Sequence, residues 1–200
     1  MPSILRQSVL TAACGALFSV SVQAEPLPMP QVDYAVKAKM IGGMTMTGRH
    51  ASGKMRMEMT APGVPIPMTA YIDLKTRKVI TVMSMPGMTP MAMEADIGTE
   101  EAPPVAIGEG RRVGTATVAG ETCDLWQVEG KSSVEKSLDA VACISNDGIP
   151  LRFEATMEGK RQMVFEVTEI TRGPQDPKAM IPPANLKKMQ IPAGMLPGKK

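Results

Sequence analysis

The chain is poor in the residue types on which most enzymes and nucleic-acid-binding proteins depend. Of its 200 residues, one is histidine, one is tryptophan and 3% are aromatic. It has no GxSxG elbow, no HExxH helix and no glycine-rich phosphate loop, so the sequence offers no recognisable catalytic centre. Its 22 lysines and arginines are scattered and face 20 acidic residues, which argues against a basic, aromatic surface for nucleic acid. We therefore predict a protein that is not an enzyme, has no catalytic residue and binds no nucleic acid.

Long apolar runs are also scarce, and the one that stands out lies at the N-terminus. Residues 8–22 are apolar or small, Arg6 precedes them, and Val22-Gln23-Ala24 supplies the small residues that signal peptidase reads. This run is too short to span a bilayer comfortably. We predict a signal peptide over residues 1–24, cleaved after Ala24, and a periplasmic, monomeric mature chain without a transmembrane segment.

Cysteine is rare, with three in the chain. Cys14 lies in a weak lipoprotein-like box, but cleavage there would leave a very short apolar region, so we do not expect lipid anchoring. Removal of the signal peptide leaves Cys123 and Cys143, and an even count in an exported chain favours a disulfide. Two thiolates holding a metal is the weaker alternative, because neither cysteine has a CxxC partner.

The mature chain of 200 − 24 = 176 residues is long enough for one domain with its own core. Residues 25–32 form a proline-rich N-terminal linker in this interpretation, and residues 33–172 form the folded domain. Residues 173–200 are rich in proline and lysine and are expected to be an extended segment that lies across the domain.

Most of residues 33–172 has the pattern of strands and turns. In 54–60, Met55, Met57 and Met59 alternate with Lys54, Arg56 and Glu58, as in a half-buried antiparallel strand. Similar short alternating runs are separated by glycine-containing turns. The pattern of residues 132–140 fits either of two elements. One is a helix capped by Ser132-x-x-Glu135, and the other is an edge strand. The predicted fold is mainly β, an antiparallel sheet with little helix.

Methionine is the residue that the chain has in excess. There are 19, most of them between Met40 and Met93, and they recur at intervals of two. Successive side chains of a strand point to opposite faces, so each set should share one face. A hairpin at Pro86-Gly87 would bring two of these sets together. The candidate ligand-binding residues are Met44, Met46, Met55, Met57, Met59, Met83, Met85, Met91 and Met93.

Three functions remain open beside a purely structural role in the core. A flexible thioether lining suits a hydrophobic small molecule, a lipid or an exported client protein, and needs no cofactor. Soft thioethers also select Cu(I), and spaced methionines of one segment could surround one ion. Methionines can also buffer oxidants as repairable sulfoxides. We expect the carrier function; the alternative Cu(I) site would use Met83, Met85, Met88, Met91, Met93 and His50.

Two further residues have chemistry that bears on these alternatives. His50 follows Arg49, and we expect it at the surface or at a strand end rather than in a catalytic role. Trp126 has Leu125 and Val128 nearby in sequence and is expected to pack in the core, although its ring could also cap a copper ion.

Three segments resemble a methionine-rich family of exported bacterial proteins of unknown function. They are Lys54-Met55-Arg56-Met57-Glu58-Met59, the GTxxVxGxxC-like run 114–123, and Leu186-Lys187-Lys188-Met189-Gln190-Ile191-Pro192. The family is related in fold to the LolA and LolB type of periplasmic lipoprotein carriers. The resemblance implies a strongly curved antiparallel sheet, a half-barrel around an apolar cavity, and no established activity. The chain departs from the family at 140–144 and 179–181, where the usual tryptophan and aromatic residue are missing, so individual pocket positions do not transfer.

Overall fold

The protein is described by a computed structural model over residues 24–63, 67–84, 87–97, 108–129, 139–184 and 186–188. Of these residues, 63% are strand and 5% are helical. Two short 3-10 turns, Ile41–Gly43 and Pro177–Met180, supply the helical part. The strands are β1 (Glu25–Pro26), β2 (Tyr34–Met40), β3 (Thr45–Ala51), β4 (Lys54–Thr60), β5 (Met68–Asp73), β6 (Lys78–Met83), β7 (Met91–Asp96), β8 (Glu109–Val118), β9 (Glu121–Glu129), β10 (Ala140–Ser145), β11 (Pro150–Met157), β12 (Lys160–Arg172) and β13 (Lys187–Lys188).

These strands form a single sheet in the order β1-β8-β9-β10-β11-β12-β2-β3-β4-β5-β6-β7-β13. Every neighbouring pair is antiparallel except β7 and β13, which are parallel. The sheet is not closed, and it curves so far that β8 approaches β12. The predicted mainly β fold with one open, curved antiparallel sheet is confirmed.

Tight turns at several hairpins follow directly from the sequence. Ser52 and Gly53 connect β3 to β4, and both have positive φ, 50° and 79°. Two central residues with positive φ define a type I′ turn, whose twist matches that of the flanking antiparallel strands. Glycine adopts the second angle without a steric penalty. This turn fixes the register of β3 on β4, so that Ala51 lies opposite Lys54.

From β2 to β4 the sheet has one apolar face and one that is mainly charged or polar; on β6 and β7 the second face also buries Val82 and Ala92. In β2 the side chains of Tyr34, Val36, Ala38 and Met40 are buried, while Lys37 and Lys39 are exposed. We call the face that carries the buried side chains of β2 the inner face. Directly opposed residues on neighbouring strands have their side chains on the same face. The strand register therefore identifies the side chains of β3, β4, β5, β6 and β7 that lie on the inner face with those of β2.

The two ends of the strands differ in chemistry. At the end where β12 finishes, Arg172 donates hydrogen bonds to Asp147 (Nε–Oδ2, 2.6 Å) and to Glu121 (Nη1–Oε1, 3.0 Å). The hydrogen bond from the Arg172 guanidinium holds the pKa of the Asp147 carboxyl below its usual value. This ion-pair end therefore ties the β8–β9 and β10–β11 turns to β12.

Both terminal segments pack against the sheet. β1 pairs with β8, and Leu27 is buried, so this part of the expected 25–32 linker lies on the fold. A side chain at Gly148 would meet the carbonyl oxygen of Met29 at 2.0 Å, which shows how closely the segment approaches. At the other terminus, the 3-10 turn that contains buried Met180 lies beside β3 and β4, and β13 pairs with β7. The described C-terminal residues thus cross from β12 to the opposite edge of the sheet.

The disulfide between Cys123 and Cys143 is confirmed. It joins the neighbouring strands β9 and β10, its Cα atoms are 5.5 Å apart, and each cysteine is 1% exposed. Among the described residues, no helix is long and apolar enough to cross a membrane. Of the undecided run 132–140, Ala140 begins β10, and residues 132–138 lie outside the described residues.

Replacing both cysteines with serine should lower the free energy of unfolding by about 3 kcal/mol, because the bridge closes a loop across 20 residues of sequence. Urea denaturation of the wild type and the double variant measures the difference. An unchanged midpoint at an unchanged slope would contradict a stabilising role for the bridge.

Candidate binding face of methionines

Five methionines lie directly opposite one another on five neighbouring strands. Met46 of β3 is opposite Met59 of β4, and Met59 is opposite Met68 of β5. Met68 is in turn opposite Met83 of β6, which is opposite Met91 of β7. With strands spaced by about 4.8 Å, this methionine row extends for about 19 Å across the inner face.

The inner face continues beside the methionine row with fewer thioethers. In the next row, Met57 lies opposite Ala70, Ala70 opposite Thr81, and Thr81 opposite Met93. One row further, Met55 lies opposite His50 and Ile72. Thioethers are therefore concentrated at the end of the sheet away from the ion pairs, where β4 and β6 finish and β5 and β7 begin.

Burial divides these methionines into two groups. Met46, Met55, Met57 and Met59 are between 4% and 7% exposed and belong to the contiguous core. Met44 is half-buried and packs against that core. A second set on β5, β6 and β7 is half-buried and thus partly open to solvent. We call this second set the edge group: Met68, Met83, Met91 and Met93.

The register reveals members that the sequence pattern missed. Met68 was not among the predicted ligand-binding residues, yet it lies between Met59 and Met83 in the methionine row. Pairing β4 with β5 across the Pro62-Gly63 turn would have identified it. Met85 was predicted to join the face and lies outside the described residues.

His50 was expected at the surface or at a strand end; it lies at the end of β3, and the surface position is wrong. Its side chain is 2% exposed and stacks on Tyr34, with ring centroids 5.3 Å apart. Nδ1 lies 2.9 Å from the carbonyl oxygen of Val32, and Nε2 accepts a hydrogen bond of 3.2 Å from the Gly53 amide. Because a carbonyl can only accept, Nδ1 carries the proton. Nε2 thus fixes the β3–β4 turn, and Nδ1 ties β3 to the segment before β2, so the buried ring has a partner at each nitrogen.

His50 is also remote from the methionines that the copper alternative groups with it. It lies on β3, three strands from Met83, or about 14 Å across the sheet and about 14 Å along it. Met88 is 57% exposed in the β6–β7 connection. Among the described residues, no group of three His, Cys, Asp or Glu side chains could hold a metal ion. A soft-metal site among the described residues would therefore have to use methionine sulfurs, and the edge group supplies four that are half-buried.

An aromatic row continues the inner face on the other side of β2. Trp126 of β9 is opposite Ala142, Ala142 is opposite Phe153, Phe153 is opposite Phe165, and Phe165 is opposite Met40. The two phenylalanine rings stack with centroids 6.3 Å apart. Trp126 is 6% exposed, so it packs in the core as expected. The apolar lining therefore passes from thioethers to aromatic rings without leaving the inner face.

Three buried polar atoms have no hydrogen-bond partner in the described part of the chain: Tyr34 Oη, Trp126 Nε1 and Arg56 Nε. Burial raises the pKa of the Tyr34 hydroxyl well above its usual value, and the nearby Asp147 charge adds to the effect. Arg56 belongs to the charged face, where it pairs with Glu58 and lies over the ring of Tyr71. Tyr34 and Trp126 leave two neutral donors unpaired on the inner face.

Comparison with known proteins gives no family. No family model matches the chain, and no curated protein matches it. Two solved structures of PNGF-II, in space groups P21 and C2, are each 12% identical to the chain with a TM-score of 0.40. They cover 79% of this chain, which spans about a third of their length (32% and 31%).

Mild oxidation with hydrogen peroxide should distinguish the two groups of methionines. We expect sulfoxides at Met68, Met83, Met91 and Met93 well before the buried Met46, Met55, Met57 and Met59, because oxidation follows exposure. Peptide mass spectrometry over a time course gives the order, with exposed Met163 as the internal reference. Simultaneous oxidation of both groups in the folded protein would contradict the division.

Proposed function

We propose that the protein is a non-enzymatic periplasmic carrier that binds a hydrophobic ligand, with a lipid or lipoprotein-like cargo as the preferred class. The ligand would lie on the inner face, along the methionine row. The observation that carries the proposal is the gradient of burial along that row, from 6% exposed Met46 and Met59 to half-buried Met68, Met83 and Met91.

The choice of side chain supports a binding surface over an ordinary core at this edge. Leu, Ile, Val and Phe specify a packed core better than methionine, whose unbranched chain adapts to irregular apolar partners. Ordering several methionines also costs more conformational entropy than ordering branched aliphatic residues. The edge group is thus suited to a ligand of variable shape.

The size of the row is sufficient for useful affinity. Each methylene removed from water contributes about 0.8 kcal/mol, so ten methylenes would contribute about 8 kcal/mol before the cost of association. The half-buried part of the row, from Met68 to Met91, spans two strand spacings, or about 10 Å, and offers an extended chain contact over that length. The cost of ordering the ligand and the side chains reduces this free energy of burial. The remainder is the net binding free energy of a reversible carrier.

The cellular location is part of the same proposal. A buried disulfide forms and persists in oxidising compartments, which fits export by the signal peptide inferred for residues 1–24. The methionine-rich family that the chain resembles is related in fold to LolA- and LolB-type carriers, and the open, curved sheet is compatible with a ligand that enters at the edge group.

Cu(I) binding is the second candidate, and one observation favours it. Met68, Met83 and Met91 are consecutive in the methionine row, and Met93 lies two residues from Met91 on the same face. Four thioethers so arranged could surround one soft cation. His50 does not belong to this set.

A lysine in the edge group tests the carrier function directly. Met91→Lys places a charge opposite Met83 and should weaken binding of the apolar fluorophore N-phenyl-1-naphthylamine at least tenfold, because the charge stays hydrated. Fluorescence titration gives the affinity, and Met163→Lys on β12 is the matched surface control. Equal affinity in both variants would exclude the edge group as the binding surface.

Leucine replacements separate the two candidates. The triple variant Met83→Leu, Met91→Leu, Met93→Leu keeps apolar volume, so the carrier should bind the same fluorophore within a few-fold of wild type. A Cu(I) site would lose three sulfur ligands and should fail in a competition with bathocuproine disulfonate. Full retention of Cu(I) affinity would rule out this metal site, and loss of the fluorophore alone would argue against the carrier.

A further inference from the structure

Trp126 carries a hydrogen-bond donor that the described fold does not use. Its indole Nε1 is fully buried and has no partner, although the side chain as a whole is 6% exposed. Buried donors are nearly always paired, because an unpaired one forfeits its hydrogen bonds to water. An acceptor from outside the chain could pair with this donor, and its position distinguishes Trp126 from Tyr34, whose hydroxyl is also unpaired.

The position of Trp126 connects it to the proposed ligand surface. The aromatic row leads from Trp126 to Met40, whose amide donates to the carbonyl of Met44 at 2.8 Å. Met44 precedes Met46, the first member of the methionine row, by two residues and so lies on its face. The neighbour directly opposite Trp126 on β10 is Ala142. One continuous apolar lining thus runs from the edge group to Trp126.

We propose that the Nε1–H of Trp126 donates a hydrogen bond to the carbonyl or carboxylate oxygen at the polar end of an acyl ligand whose chain follows this lining. This proposal rests on the proposed carrier function and adds the polar half of its ligand. The indole can donate and cannot accept, so the complementary group must be an acceptor.

A charged pair lies next to Trp126. Arg112 of β8 is directly opposite Trp126, and its side chain is 55% exposed. Its guanidinium pairs with the carboxylate of Asp124, so the pair adds no net charge beside the indole. The preference for an oxygen-bearing end therefore rests on the indole donor.

Tyr34 supplies a matched control from the same face. Its hydroxyl is also buried and unpartnered, yet it lies six residues from Met40 along β2, or about 20 Å away, at the ion-pair end. If any buried orphan donor affected affinity non-specifically, Tyr34→Phe would mimic Trp126→Phe. Both substitutions keep an aromatic ring and remove one donor.

The experiment compares dodecanoate with dodecyltrimethylammonium, which has the same chain and no acceptor. Isothermal titration calorimetry on Trp126→Phe should show dodecanoate binding weakened about tenfold, as for a hydrogen bond to a charged group. Binding of the ammonium compound should be unchanged, as should binding of either compound to Tyr34→Phe. Trp126→Phe also removes buried ring volume and should lower the thermal midpoint of the ligand-free protein, so unchanged binding of the ammonium compound is the control for altered packing.

A second readout needs no variant. Trp126 is the sole tryptophan, so the wild-type protein has one indole N–H resonance. Dodecanoate should shift it downfield, and the ammonium compound should not. Equal dodecanoate affinity in wild type and Trp126→Phe with an unmoved resonance would overturn the assignment of Trp126 while leaving the carrier intact. If neither amphiphile binds to the wild type, both the carrier function and this assignment fail.

Discussion

The strand register of β3 to β7 is the constraint on which the account depends. A shift of one residue in any of these pairings would move the methionine side chains of a whole strand to the opposite face of the sheet. The register is held by specific contacts: the Ser52-Gly53 turn, and His50, whose two ring nitrogens bind the backbone of Val32 and Gly53. The methionine row exists because these contacts align Met46 with Met59 and the strands beyond.

The methionine row contains both residues that stabilise the core and residues of the proposed binding surface. Met46 and Met59 are buried with Val36, Ala38 and the rest of the core, so they stabilise the sheet. The edge group lies toward the open edge, where, among the described residues, the two-residue strand β13 follows β7. The ion pairs of Arg172 with Asp147 and Glu121 hold the opposite end of the strands together. A carrier with these features would be rigid at one end and adaptable at the other.

Local patterns predicted the strands well because alternation and turn chemistry act over a few residues. The run 54–60 was predicted as a strand, and β4 has those bounds, with Met55, Met57 and Met59 on one face. Pairings between strands depend on register, which a sequence pattern does not reveal, and Met68 was missed for that reason. The burial of His50 depends on Val32 and Tyr34, which are 18 and 16 residues away, so its neighbours in sequence gave no signal.

The most direct test of the central claim is NMR of the protein labelled with ¹³C at the methionine methyl groups. The account predicts a ladder of through-space contacts that links Met46, Met59, Met68, Met83 and Met91 in that order, because neighbours in the row are one strand apart. Dodecanoate should shift the edge-group methyl signals more than that of Met163. Methyl groups of consecutive row members without mutual contacts, or a ligand that shifts Met163 and leaves the edge group unmoved, would contradict the account.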